Sequence, residues 1–504
     1  RGLLLSASGP NTPSSFEYDA LGRMTKRTDA TGESLYQWDT DGRLVADTDP
    51  LTNTTRTYGW NDWDRVESVS YSAGGMQRAY TYDTAGRLAT DTLTGDGVEQ
   101  RRTVYAYDGA GRLVTETVSG QASVVGQGVN SYGYDAAGRL ASWTNPAAQV
   151  TGYSWDNAGN RTGEGSVTSV YDARNRITGS SNGDSFTWSA RGTLVSQSVS
   201  GVSSGFVFDG LGRMVTVDGL GYQYDGLGRV AARSDGAAGW VGFAYSGTGL
   251  QPVSDGNGWI ARSPGGAPVA TKVGSAAAVS VGLDRHGDVV SMFDPVAGTV
   301  EGSVEYDPFG EVTGSGGASA GNIGFQGAYT DPVSKLVDMG ARWYSPGMGR
   351  FVSRDTIHPL LGTPVSLNMY TYANNDPLGF YDPDGHDPGW AHDRDSCNDA
   401  GYYKCAKVKA GKNAGKTVLA GYGKRALDEI DRGIGVDAKR WCHLDGSSFA
   451  QECGAPPPVS CRTLQGQSGR QGADDGTGPC AIHSMVAKGL SEAERLDGDD
   501  RTHP

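Results

Sequence analysis

The chain has 504 residues, 77 of them Gly, with six Cys, seven His and a formal net charge of −14. That length allows two or more domains. The Gly follows no collagen period and is interleaved with aromatics, which excludes a collagenous or disordered chain. No stretch approaches 18 apolar residues, so no membrane span is visible.

The first 245 residues are an array. Arg1 opens the chain without a Met and already inside repeat-like sequence, from which we expect a longer protein with an upstream part. A phrase of aromatic, Asp, two variable residues, Gly and Arg recurs at Tyr18–Arg23, Trp38–Arg43, Tyr82–Arg87, Tyr107–Arg112, Tyr134–Arg139, Phe208–Arg213 and Tyr224–Arg229. Degenerate copies sit at Trp155–Asn160, Tyr171–Arg176 and Trp188–Gly192, and adjacent copies start 16 to 27 residues apart. The residues before each phrase alternate, as in Tyr105-Ala106-Tyr107, which is the strand period. Asp opens a turn by accepting backbone N–H bonds. Gly supplies a positive φ. Each unit therefore reads as two strands and a tight turn. One hairpin is marginal in water, and stacking buries its aromatic face. The motif residues are read as scaffold.

Residues 246–275, rich in Gly, Pro, Ser and Ala, read as a long loop or a degraded repeat. From Val281 the phrases lengthen and stop repeating. They include Tyr306-Asp307-Pro308-Phe309-Gly310-Glu311, Asp338-Met339-Gly340-Ala341-Arg342-Trp343-Tyr344, Gly349-Arg350-Phe351-Val352-Ser353-Arg354-Asp355 and Asp382-Pro383-Asp384-Gly385.

These repeats resemble the YD repeats of Rhs proteins, and the block from Tyr306 to Gly385 resembles the Rhs-associated core. The resemblance covers roughly residues 15–385. It implies repeats spiralling as one long β-sheet into a hollow shell plugged by the core, with a variable C-terminal domain, usually a toxin, inside. It also implies self-cleavage just after Asp-Pro-x-Gly by aspartyl chemistry. By that match the boundary is Gly385–His386, and Asp355, Asp382 and Arg350 are the candidates for the machinery. Such chemistry needs two carboxylates sharing a proton, one as base and one as acid. Two departures stand out: Thr363-Pro364-Val365-Ser366 lacks an Asp that some relatives carry, and His386 follows the motif where cleaving members commonly have Leu. Without cleavage these acids are turn-formers.

Residues 386–504 differ from everything before. They hold all six cysteines (Cys397, Cys405, Cys442, Cys453, Cys461 and Cys480), and only −1 of the net charge; the other −13 belongs to residues 1–385. So acidic a repeat region argues against nucleic acid as its own partner and suits a basic cargo. An even Cys count suits three disulfides and an oxidising compartment, with free thiols or zinc as alternatives. Between Lys404 and Arg440 ten Lys/Arg face four Asp/Glu, with Tyr402, Tyr403 and Tyr422 near or among them. That run reads as a nucleic-acid footprint or as a solvated helix face complementary to the acidic shell. His443 and Asp445, with Lys439 upstream, form the best acid–base group, fit for metal-free RNA cleavage. His483 beside Cys480 is second. His386, His392 and the nearby Asp387, Asp393 and Asp395 read as a polar linker more simply than as a metal site.

The expected fold is mainly β: a long antiparallel sheet of repeat hairpins forming a partial shell, followed by a small Cys-rich α+β domain. The domains expected are 1–280 (repeat shell), 281–385 (core) and 386–504 (variable, toxin-like). Two functions compete. One is the C-terminal part of a polymorphic toxin, secreted or at the cell surface, with upstream delivery domains, a cognate immunity protein and a nuclease-like effector. The other is a structural or adhesive surface protein whose repeats bind cells or glycans and whose Cys-rich tail is a non-enzymatic, disulfide-stapled cap or binding module. No cofactor or metal is expected.

Overall fold

A computed structural model describes residues 2–9, 13–234, 236, 239–357 and 364–386, with the short pieces 389–390, 405–407 and 417–419. The fold is the mainly β, antiparallel one that the alternating segments imply. The α+β tail, and with it the six cysteine side chains, His443, Asp445, Lys439, His392 and His483, lies outside the described residues.

The turn explains the phrase. After β2 (Ser14–Tyr18), Asp19 N–H donates to Arg23 O at 2.9 Å and Gly22 N–H donates to Asp19 O at 3.0 Å. Asp19 Oδ1 accepts the N–H groups of Leu21 and Arg23, both at 2.9 Å, while Oδ2 pairs with Arg23 Nε at 2.7 Å. Gly22 sits at φ +87, where a Cβ is strained. The pairing register slips between Glu17 and Tyr18, the mark of a tight turn closed by a Gly bulge. Burial pushes the Asp19 carboxyl up, but its backbone donors and Arg23 outweigh it and hold the group below the usual range. The same balance holds at Asp39, Asp83, Asp108, Asp135, Asp172 and Asp209. The gap between Trp38 and Tyr82 is filled by an unpredicted copy, Trp60–Arg65. There Asn61 Oδ1 takes the two N–H groups, at 2.9 and 3.1 Å, and Asp64 adopts φ +57 in place of Gly.

Neighbouring repeats are bonded in both directions. Motif Tyr and Trp side chains reach back to the carbonyl of the residue that follows the preceding motif arginine. Trp38 Nε1 donates to Met24 O at 2.6 Å, Tyr107 Oη to Leu88 O at 2.8 Å, Tyr134 Oη to Leu113 O at 2.8 Å and Trp155 Nε1 to Leu140 O at 2.7 Å. Each arginine reaches forward. Arg139 Nη1 donates to Asp156 O at 2.8 Å, and the Arg87 and Arg112 guanidinium groups lie 4.5 and 4.7 Å from the ring centres of Tyr107 and Tyr134.

Strands β1 (Ser6–Ala7) through β24 (Trp240–Gly242) form one antiparallel meander in which sequential strands pair. A second sheet runs from β25 (Ala244–Tyr245) to β32 (Val312–Gly317). It includes residues 246–275, which are degraded repeats and not a long loop: Ser263 N–H donates to Ala267 O as in the motif turn. A four-stranded sheet follows, made of β33 (Tyr329–Thr330), β34 (Val337–Asp338), β35 (Trp343–Ser345) and β36 (Arg350–Phe351). One face of the meander is buried. The residue after the motif arginine or the residue in its place (Leu44, Leu140, Leu194, Met214) and aromatics two before the motif aromatic (Tyr36, Tyr105, Phe186, Tyr222) lie in it. The later strands pack on Tyr329, Trp343, Met348 and Val352, the middle ones on Phe293, Val300 and Phe309. The chain also returns to its first repeat: Arg27 Nη2 donates to Arg262 O at 2.6 Å and Gly247 N–H to Ser14 Oγ at 3.0 Å.

Asp108→Ala removes one acceptor of two N–H groups and an ion pair, and should cost about 1–2 kcal/mol; Tyr107→Phe removes one hydrogen bond and should cost about 1 kcal/mol. Hydrogen-exchange mass spectrometry should show both losses confined to the flanking hairpins, since each repeat touches mainly its neighbours. Uniform protection across the array in Asp108→Ala would contradict this bonding scheme.

Candidate active site

Three segments far apart in sequence meet at one guanidinium. Arg342 occupies the tight turn between β34 and β35. Asp355 lies four residues beyond β36. Asp382 to His386 follow β37 (Phe380–Tyr381). The Met369 carbonyl joins the first two: it accepts Asp355 N–H at 3.0 Å and Arg342 Nη1 at 3.1 Å. The turn holds the third, because Ala341 N–H donates to Asp384 O at 3.0 Å. Below the guanidinium lies the Phe351 ring, its centre 3.6 Å from Arg342 Cζ.

Arg342 Nη2 stands 3.0 Å from Asp355 Oδ2 and 3.5 Å from Asp382 Oδ2. Its Nε donates to the carbonyl of Gly385. The amide of the next residue is held as well: His386 N–H donates to Asp382 Oδ1 at 2.9 Å and Asp384 Oδ1 at 3.1 Å. Both polar groups of the Gly385–His386 peptide bond are therefore gripped by side chains. Gly385 permits this at φ +78, where a Cβ would sit 2.8 Å from Met339 O and 2.9 Å from Arg342 N. The His386 ring completes the cluster, with Nδ1 2.7 Å from Asp355 Oδ1.

The two carboxyls are driven apart. Burial dominates at Asp382, whose side chain is only 2% exposed; Arg342 opposes the shift, Asp384 and Asp355 add to it, and the group is pushed up to about 7. At Asp355 burial also pushes up, but His386 and Arg342 outweigh it and the carboxyl stays below the usual range. For His386 burial works against the charge, and Asp355 more than restores it, raising the imidazole above its ordinary value. One acid that keeps its proton beside one that gives it up is the arrangement that proton transfer requires.

Of the residues expected from sequence, Asp355, Asp382, Gly385 and His386 converge. Arg350 stands elsewhere: its Nη2 donates to Asn175 O at 2.7 Å and its guanidinium lies near the Tyr171 and Tyr370 rings. The arginine between the two carboxylates is Arg342, which sequence reasoning passed over. Its signal was a lone charge inside the apolar run Met339 to Tyr344. Among the described residues no group of His, Cys, Asp or Glu is arranged to hold a metal ion.

The family model for the Teneurin YD-shell matches residues 7–142, 127–249 and 279–378. The chain belongs to the YD-shell family. This YD-shell protein is 34% identical over 106 residues to the tRNA(Glu)-specific nuclease WapA of Bacillus subtilis subsp. natto, covering 20% of this chain and 4% of that protein. It is 24% identical over 242 residues to the tRNA3(Ser)-specific nuclease WapA of Bacillus spizizenii, covering 46% of this chain and 9% of that protein. The chain thus spans less than a tenth of these relatives. Its fold is similar to the TcdB2-TccC3-TEV crystal structure (TM-score 0.54, 17% identity, 74% of this chain and 21% of that one). It is likewise similar to the Photorhabdus luminescens Tc holotoxin pore (TM-score 0.55, 19% identity, 75% of this chain and 21% of that one).

Gly385→Ala places a Cβ against backbone atoms in a strained conformation and should cost about 2 kcal/mol in denaturant unfolding. An unchanged midpoint would mean that residues 382–386 do not lie against the 339–342 turn.

Proposed function

We propose that this YD-shell protein is the C-terminal part of an Rhs-type polymorphic toxin, in which residues 1–280 and 281–385 form shell and core and residues 386–504 are an enclosed effector. In this reading the effector is freed by hydrolysis of the Gly385–His386 bond. The observation that carries it is the double grip on that bond, Arg342 on the carbonyl and Asp382 on the amide, with an ionised Asp355 beside them. Water adds to the Gly385 carbonyl carbon, and Asp355 takes its proton. Arg342 stabilises the negative charge that develops on the oxygen, as a fixed donor does in an oxyanion hole. The carbon–nitrogen bond then breaks as Asp382 passes its proton to the departing His386 nitrogen. One water is consumed, leaving a carboxylic acid at Gly385 and an amine at His386, with the transferred proton on Asp355 and Asp382 ionised.

The effector is proposed to be nuclease-like. The names of the WapA relatives support this, and His443 and Asp445 would act as acid and base with Lys439 on phosphate. Upstream parts of the same chain would deliver it, a cognate immunity protein would restrain it, and it would work outside the producing cell or at its surface. No helix among the described residues is long and apolar enough to cross a membrane.

On denaturing gels the purified full chain should yield a 119-residue C-terminal piece starting at His386, and Asp382→Asn or Asp355→Asn should leave one intact band. A single intact band from the native chain at every pH from 5 to 9 would end the cleavage reading. Residues 386–504 expressed in bacteria should arrest growth and degrade RNA; normal growth with soluble, folded protein would remove the effector reading.

A further inference from the structure

The residue on the leaving side of the bond contributes more than its amide. The His386 ring reaches back to Asp355, the base of the proposed hydrolysis, on which this inference rests. Asp355 has little free capacity to accept a proton. Its Oδ1 takes both the imidazole, at 2.7 Å, and the N–H of Ile357, at 2.9 Å. Its Oδ2 faces Arg342 Nη2 at 3.0 Å. Only the imidazole among these three partners can change charge near neutral pH. It is also the only one that belongs to the released piece.

We propose that His386 is a built-in brake on self-cleavage: its imidazolium occupies the Asp355 carboxylate, and loss of its proton loosens that hold so that Asp355 can take the proton of the attacking water. Among the described residues, the charged groups acting on the ring are Asp355 from the segment beyond β36, Arg342 from the β34–β35 turn and Asp384 from its own segment, while Asp382 meets the His386 amide. Burial and Arg342 oppose the charged ring, but Asp355 and Asp384 outweigh them and raise its pKa. A charge-assisted bond is roughly twice as strong as a neutral one. The neutral ring therefore still touches Asp355 but gives way more easily.

Two ionisations then frame the reaction with opposite signs. Below the His386 pKa the base is occupied. Above about 7, Asp382 loses the proton that the leaving nitrogen needs. The native chain should cleave within a narrow, bell-shaped pH window. The acid side of that bell belongs to residue 386 and the alkaline side to Asp382.

The test follows the full 504-residue chain and its variants, refolded from denaturant into buffers from pH 5 to 9 and sampled on denaturing gels. His386→Leu removes the ring and should cleave at least tenfold faster than the native chain at pH 5.5. It should lose the acid limb and keep the alkaline one. His386→Gln keeps a neutral donor, and should also lose the acid limb with a smaller acceleration. If either variant cleaves but retains the native acid limb, or His386→Leu is no faster at pH 5.5, the brake is overturned while the hydrolysis stands. If neither the native chain nor His386→Leu cleaves at any pH, the hydrolysis fails and the brake with it. Circular dichroism of each refolded variant separates loss of fold from loss of reaction.

Discussion

Everything in this molecule depends on one carboxylate placed at a hairpin turn. A turn leaves backbone N–H groups without strand partners, and such groups are costly when they lose water. The motif Asp takes two of them on one oxygen and uses the other to aim an arginine. That arginine leans over the next aromatic ring, which itself donates a hydrogen bond backward. Each hairpin is thus completed only by its neighbours, which is why the array is stable as a series and marginal as single units. Its tolerance follows from the same logic. Asn160, standing where arginine is usual, still bonds Asp156 Oδ2 at 2.8 Å and passes a second bond to Asn175 Oδ1 at 3.0 Å. Ser189 and Thr193 keep the turn with hydroxyls alone. Phe208 loses the backward donor but retains its apolar contact.

Arginine has a second use where the meander, the second sheet and the segment up to residue 385 meet. A buried guanidinium has to be met by acceptors, and here many of them are carbonyls distant in sequence. Arg350 donates to Asn175 O, Arg285 Nη1 to Leu378 O at 2.6 Å, and Arg161 lies 4.3 Å from the Phe309 ring centre. His286 Nε2 meets Phe380 O at 2.9 Å. These contacts pin the segment leading into Asp382 against the sheets. Arg342 is one more member of this set, distinguished by standing between two carboxyls. The site therefore shares the clamps of the fold.

The repeat was legible because the residues that build the turn are the ones that recur. Trp60–Arg65 escaped because Asn61 does the work of Asp through the same side-chain oxygen, and Asp64 enters the left-handed region that Gly usually fills. The second sheet escaped in part because its turns use Ser263 and Asp284, which keep the hydrogen bonds and drop the spelling. At the site, Asp355, Asp382 and Gly385 were visible through their motifs. Arg342 was not, since nothing local tells which of several arginines will stand between two carboxylates 27 residues apart. That is decided by the β34–β35 turn and by the Met369 carbonyl, both long-range facts.

The separation of the two carboxyls is likewise a property of the assembled fold. Asp355 remains partly exposed and has three donors on its oxygens. Asp382 is almost wholly buried, stands farther from the shared guanidinium, and has Asp384 beside it. In an extended chain these carboxyls would titrate together near the ordinary aspartate value. Only closure of residues 380–386 onto the 339–342 turn makes one an acid and the other a base. For the proposed hydrolysis this sets an order of events. The sheets must form first, the segment must then dock, and the bond becomes cleavable last. A chain cut this way cannot lose its C-terminal piece before the wall around residues 339–386 exists, because the reacting groups are not yet a pair.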